Sequence, residues 1–279
     1  MIEIFSTPAG LTLSYERRGS GPLLVCHPGG PGGSAAEFLD FAGLDDTFEL
    51  LLLSPRGSHG SDPADDYALR SYVADLEALR AHLGVGRLNL LGFSHGGFVA
   101  TAYAAAHPAF VDRLVLVDTL AVWGDEAEAA MLRAIERRRD EPWFGEAAKA
   151  IEEEQAGEFA SVAELISNLQ RQIPLYFHRW VGNEKVGSIL AEDFAHAEPL
   201  RHFNTVEFPS LDLRGDLRTI EAPTLVVAGD DDFIAGPVCA DAIVRELPNA
   251  RLVTIPESGH FVYVEQPEVF RAALTEFLL

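Results

Sequence analysis

Cysteine is nearly absent from this chain of 279 residues, which carries only Cys26 and Cys239. They form no C-x-x-C pair and no disulfide framework. That excludes a small stapled secreted scaffold and suits a reducing cytoplasm. Lysine is as scarce, at positions 149 and 185 alone, and the formal net charge is −22. Phosphate backbones need clustered positive charge, so nucleic acid is not an expected partner. The acidic excess reads as a solubilising surface, or alternatively as an acidic mouth that attracts a cationic substrate. No window holds about eighteen uninterrupted apolar residues, so no membrane span is expected. The start, Met1-Ile2-Glu3-Ile4-Phe5, lacks the basic flank and apolar core of an export signal. No H-E-x-x-H or comparable ligand cluster is present, so neither a metal nor a cofactor is expected.

What is present is an α/β rhythm. Ile2–Phe5 and Leu11–Arg17 read as strands around a turn at Pro8-Ala9-Gly10. Leu23–Cys26, Phe48–Leu53, Leu88–Leu91 and Arg113–Val117 are short apolar runs of the kind buried on both faces of a sheet. Tyr67–Leu83 shows apolar residues at helical spacing and stops at Gly84. A helix is also expected at Ser34–Leu39. The alternation predicts a mostly parallel sheet with helices on both faces. It breaks at Val122, beyond which the chain is helical and rich in Glu and Arg, and it resumes at Pro223–Gly229. The expected organisation is a core from 1–122 and 207–279 with a helical cap at 123–206.

The chemistry centres on Gly92-Phe93-Ser94-His95-Gly96, which lies between an apolar strand and a small-residue helix. This is the G-x-S-x-G nucleophile elbow, a sharp turn that lifts a serine hydroxyl clear of a sheet. Gly92 and Gly96 lack a Cβ and let strand and helix approach. The residue after the nucleophile, His95, offers a backbone N–H at the positive end of a helix to an oxyanion. A serine needs a base, and the base needs an orienting carboxylate. Chain order places the acid and then the histidine after late strands. Asp230-Asp231-Asp232 and Ser258-Gly259-His260 satisfy this, and any of the three acids suits an imidazole.

These features resemble the α/β-hydrolase superfamily. Gly29-Gly30-Pro31-Gly32 is similar to the H-G-G-P-G loop of the prolyl aminopeptidase (proline iminopeptidase) family, and Ser258-Gly259-His260 matches its S-G-H. The resemblance implies an α/β-hydrolase fold with a Ser94, His260 and Asp232 triad. It also implies an oxyanion hole from the N–H groups of His95 and Gly30, with Gly29 the near alternative. The implied activity is cofactor-free release of N-terminal proline or another small residue from short peptides. Two departures stand out. The family's histidine before Gly-Gly-Pro-Gly is Pro28 here, with His27 displaced by one. The D-Q-R-G-x-G-x-S loop appears as Ser54-Pro55-Arg56-Gly57-Ser58-His59-Gly60-Ser61. Glu184, Glu198 and Glu207 are positional candidates for holding a substrate amine, and Phe177, Trp180, Phe194 and Phe203 for an apolar wall. Alternatives with the same triad are a carboxylesterase, a lactonase or a C–C bond hydrolase. A binding protein on a hydrolase fold is the other class.

Overall fold

The computed structural model describes residues 1–155, 159, 161–182 and 195–279. Its centre is an eight-stranded sheet: β1 (Ile2–Ser6), β2 (Thr12–Gly19), β3 (Leu23–His27), β4 (Glu49–Ser54), β5 (Leu88–Phe93), β6 (Val111–Val117), β7 (Thr224–Gly229) and β8 (Ala250–Ile255). The spatial order is β1-β2-β4-β3-β5-β6-β7-β8. β1 and β2 run antiparallel at one edge, and β3 to β8 are parallel. The register sets His27 beside Gly92, Phe93 beside Val117 and Gly229 beside Ile255. The carboxyl ends of the six parallel strands therefore share one rim, where open α/β sheets bind ligands.

The central strands are apolar throughout because both faces are covered, and their period of two divides the core. Leu88, Leu90, Leu114, Leu116 and Val226 point to one side, with α1 (Leu69–Leu83), α2 (His95–Ala106) and, further along, α8 (Pro237–Glu246). Leu91, Phe93, Val115, Val117 and Val227 point to the other, against α10 (Pro267–Leu278). The expected helix at 34–39 is instead a 3₁₀ turn, Ala35–Phe38, followed by a second at Phe41–Asp46. Phe38, Phe41 and Leu44 recur at intervals of three, the 3₁₀ period, and all three are buried.

Between β6 and β7 the described residues form α3 (Asp125–Glu136), α4 (Phe144–Gln155), α5 (Val162–Gln172) and α6 (Glu198–His202). A bridge between Val122 and Asp212 closes the base of this excursion, just before α7 (Arg214–Leu217). α9 (Val262–Glu265) follows β8. No helix among the described residues is long and apolar enough to cross a membrane.

The atypical loop after β4 is fixed by a buried ion pair. Arg56 Nε and Nη2 reach the two oxygens of Asp75 on α1 at 2.6 and 2.7 Å. The same guanidinium donates to Asp66 O and Ser71 O. Burial pushes the Asp75 carboxyl up and Arg56 pulls it back. Truncating Asp75 to Ala strands a buried cation and is expected to cost about 3–5 kcal/mol in denaturant melts. The double change Arg56→Met with Asp75→Leu is expected to cost much less.

Candidate active site

Ser94 is the hinge between β5 and α2, with φ 50° and ψ −117°. A non-glycine residue there is strained and persists only where its surroundings fix it. They do so on both sides. Ser94 N donates to Val117 O at 2.9 Å, and Ser94 O accepts from Thr119 Oγ1 at 2.8 Å and Gly97 N at 2.9 Å. A Cβ on Gly92 would land inside Gly96 O, and one on Gly96 inside His27 O. The two glycines thus permit the close approach that makes the turn.

His260 stands on the loop after β8. Its backbone N–H donates to Tyr176 O at 2.7 Å, and its Nδ1 lies 2.8 Å from Asp232 Oδ2. The other oxygen of Asp232 accepts from Ile234 N at 2.9 Å. Both side chains are buried, and the imidazole packs against Phe93, Tyr176 and Phe261. The three consecutive acids after β7 separate cleanly. Asp230 Oδ1 accepts from Ser258 N at 3.3 Å. Asp231 pairs with Arg137 at 2.7 Å, Arg138 at 2.9 Å and His178 at 3.2 Å. Only Asp232 meets the imidazole in this set of contacts.

Ser94 and His260 line one chamber of about 210 Å³, together with Gly30, Glu37, Glu154 and Asn204. A base backed by a buried carboxylate then shares a small, largely apolar space with a hydroxyl on a strained turn. That combination can activate an alcohol as a nucleophile. The residues 22–267 match the α/β-hydrolase fold family. The chain belongs to that family. The chain is 28% identical over 267 residues to a proline iminopeptidase, PfmaB, of Pestalotiopsis fici, with 93% of each chain covered. It is 27% identical over 269 residues to a putative carbamate hydrolase, RutD, of Pseudomonas savastanoi, covering 92% of this chain and 93% of that one. A solved hydrolase structure from Pseudomonas aeruginosa is similar with TM-score 0.77 and 26% identity, over 99% and 98% of the two chains.

Several residues expected at the hydrolase's substrate site lie elsewhere. Glu198 is exposed on the first turn of α6 and does not line the chamber, because Pro199 and Leu200 beside it take the buried face. Trp180 packs on Phe177 at 5.3 Å, away from the chamber. Phe177 is buried against Phe261, and Glu207 faces His202 at 3.4 Å. Glu184 and Phe194 lie outside the described residues. Phe203 does line the chamber. The N–H of Gly29 is taken by Glu37 Oε2 at 2.6 Å, whereas Gly30 faces the cavity with φ 104°.

Glu37, Glu154, Tyr176 and Asn204 were not singled out from the sequence. Glu37 sits three residues after Ser34, the spacing of an ordinary helix capping box. Glu154 ends a Glu-Glu-Glu run that looks like a solvated helix face. Asp118, with φ 43° just past β6, is a further unread residue. Its Oδ1 accepts from Gly229 N at 2.8 Å and so ties β6 to the start of the acid loop. Burial, and then the charge of Asp232, hold its carboxyl well above the usual range.

Two buried imidazoles lie beneath the elbow. Burial lowers His27 from an ordinary 6.5 to about 4, and burial together with His27 lowers His95 well below its usual value. The unfolded chain binds protons here that the folded chain refuses. Stability is therefore complete above the unfolded value and is lost as pH falls toward about 4. For His27 alone the loss is on the order of 3 kcal/mol. Thermal melts between neutral pH and about pH 4 should show His27→Asn with a shallower loss than the parent.

Proposed function

We propose that the chain is a serine hydrolase that releases an N-terminal residue from short peptides or related small amides. The observation that carries this reading is the 2.8 Å contact of His260 with Asp232 on the wall of the chamber that also holds Ser94. Ser94 Oγ attacks the carbonyl carbon while His260 Nε2 takes its proton. The N–H groups of His95 and Gly30 hold the oxyanion. Collapse transfers the proton from His260 to the leaving amine and leaves an acyl-enzyme. Water repeats the sequence, with His260 as its base, and frees the acid. Asp232 fixes the imidazole tautomer and stabilises the imidazolium.

A free amino terminus on the substrate is supported by the carboxylates of Glu37 and Glu154 on the chamber wall. A buried ammonium requires such partners. Glu154 receives hydrogen bonds from Gln172 Nε2 at 2.6 Å and Asn204 Nδ2 at 3.4 Å. Both donors are neutral amides, so neither supplies a cation that would compete with a substrate ammonium. The kinship with PfmaB supports the same reading. Cys26 and Cys239, both buried and free, support a reducing, cytoplasmic setting. The kinship with RutD supports a second reading, in which the same triad hydrolyses a carbamate or ester.

A fluorophosphonate is expected to label Ser94 in the parent and not in Ser94→Ala, with turnover lost in the variant. Asp232→Asn is expected to lower kcat by about 10⁴. Blocking the amine of an aminoacyl p-nitroanilide should abolish its cleavage. Equal cleavage of the blocked compound would overturn the aminopeptidase reading and leave the carbamate or ester reading standing.

A further inference from the structure

Beyond Glu154 lies a second cavity, of about 350 Å³. Ligand pockets span roughly 300–1,000 Å³, so this space alone holds a substantial group. Trp123, Met131, Ile151, Phe208 and Phe233 supply an aromatic and aliphatic wall. Glu154, Tyr176, Asn204, Phe208 and Ile234 line both this cavity and the chamber of Ser94, so the two spaces are neighbours across those residues.

We propose that this cavity is the side-chain subsite for the residue whose carbonyl meets Ser94, and that it takes a large aromatic group. The proposal rests on the serine-hydrolase reading above. With the carbonyl at Ser94 and the amine at Glu154, the side chain passes the shared wall into the second cavity. An aromatic ring covers the apolar wall. A pyrrolidine ring leaves most of this wall uncovered. The preferred N-terminal residue is therefore tyrosine, tryptophan or phenylalanine, with proline behind them.

The test uses the aminomethylcoumarin amides and methyl esters of Tyr, Trp, Phe, Ala and Pro, which pair one acyl series with two leaving groups. In the parent, kcat/KM for Tyr, Trp and Phe is each expected to exceed that for Pro by at least about tenfold. Met131→Trp and Ile151→Phe each fill the cavity and should lower the Tyr-to-Ala ratio by about tenfold. That ratio, taken within one variant, cancels any loss of folded enzyme. Proline equal to or better than tyrosine, a ratio unmoved in both variants, or no cleavage of either series by enzyme whose Ser94 accepts fluorophosphonate would each overturn the subsite. Failure of fluorophosphonate to label Ser94, with no cleavage of either series, would instead overturn the hydrolase reading beneath it.

Discussion

The structure depends on one backbone constraint, the positive φ held at Ser94. The strain there is opposed by hydrogen bonds from the end of β6 and just past it, since Ser94 N reaches Val117 O and Thr119 Oγ1 reaches Ser94 O. It also requires β5 and α2 to touch through Gly92 and Gly96. The glycine contact is local in sequence and the hydrogen bonds are not. The turn is over-determined by the parallel pairing of β5 with β6 and by the carbonyl of His27 at the end of β3. Strain of this kind persists only on a rigid frame, and five parallel strands buried on both faces provide one.

The loops around that frame are held by ion pairs and a hydrogen bond from groups outside the proposed triad. Asp231 joins the acid loop to Arg137 and Arg138, at the end of α3 and just beyond it, so the helical excursion and the loop bearing Asp232 share one ion-pair cluster. Asp118 ties the end of β6 to Gly229. Arg56 and Asp75 pin the loop after β4 to α1. The elbow itself rests on His27 and His95, which burial keeps neutral. In the proposed mechanism a neutral, apolar bed under Ser94 strengthens the hydrogen bonds that the N–H groups of His95 and Gly30 make to a developing charge.

Much of this was legible in one dimension. The apolar runs matched strands because a strand buried on both faces must be apolar throughout. The helix expected over Tyr67–Leu83 forms as Leu69–Leu83 and stops at Gly84 as expected, since glycine takes the left-handed conformation there. The 34–39 segment was read as a helix because periods of three and 3.6 are indistinguishable over six residues. Glu154 was invisible for a different reason. A carboxylate on an amphipathic helix is ordinary until a neighbouring element, here Gln172 on α5, turns it toward an enclosed space.

By itself the sequence determined the order of strands and helices, the turn at Ser94 and the two late loops that follow β7 and β8, because these follow from local periodicity and from glycines at fixed offsets. Which of three adjacent aspartates meets His260, which glycine N–H faces the cavity, and which glutamates line it were decided only by tertiary structure. Those choices turn on the direction of a side chain or an N–H at a loop. Direction there is set by partners more than twenty residues away, as with Asp232 and His260 or Asp231 and Arg138.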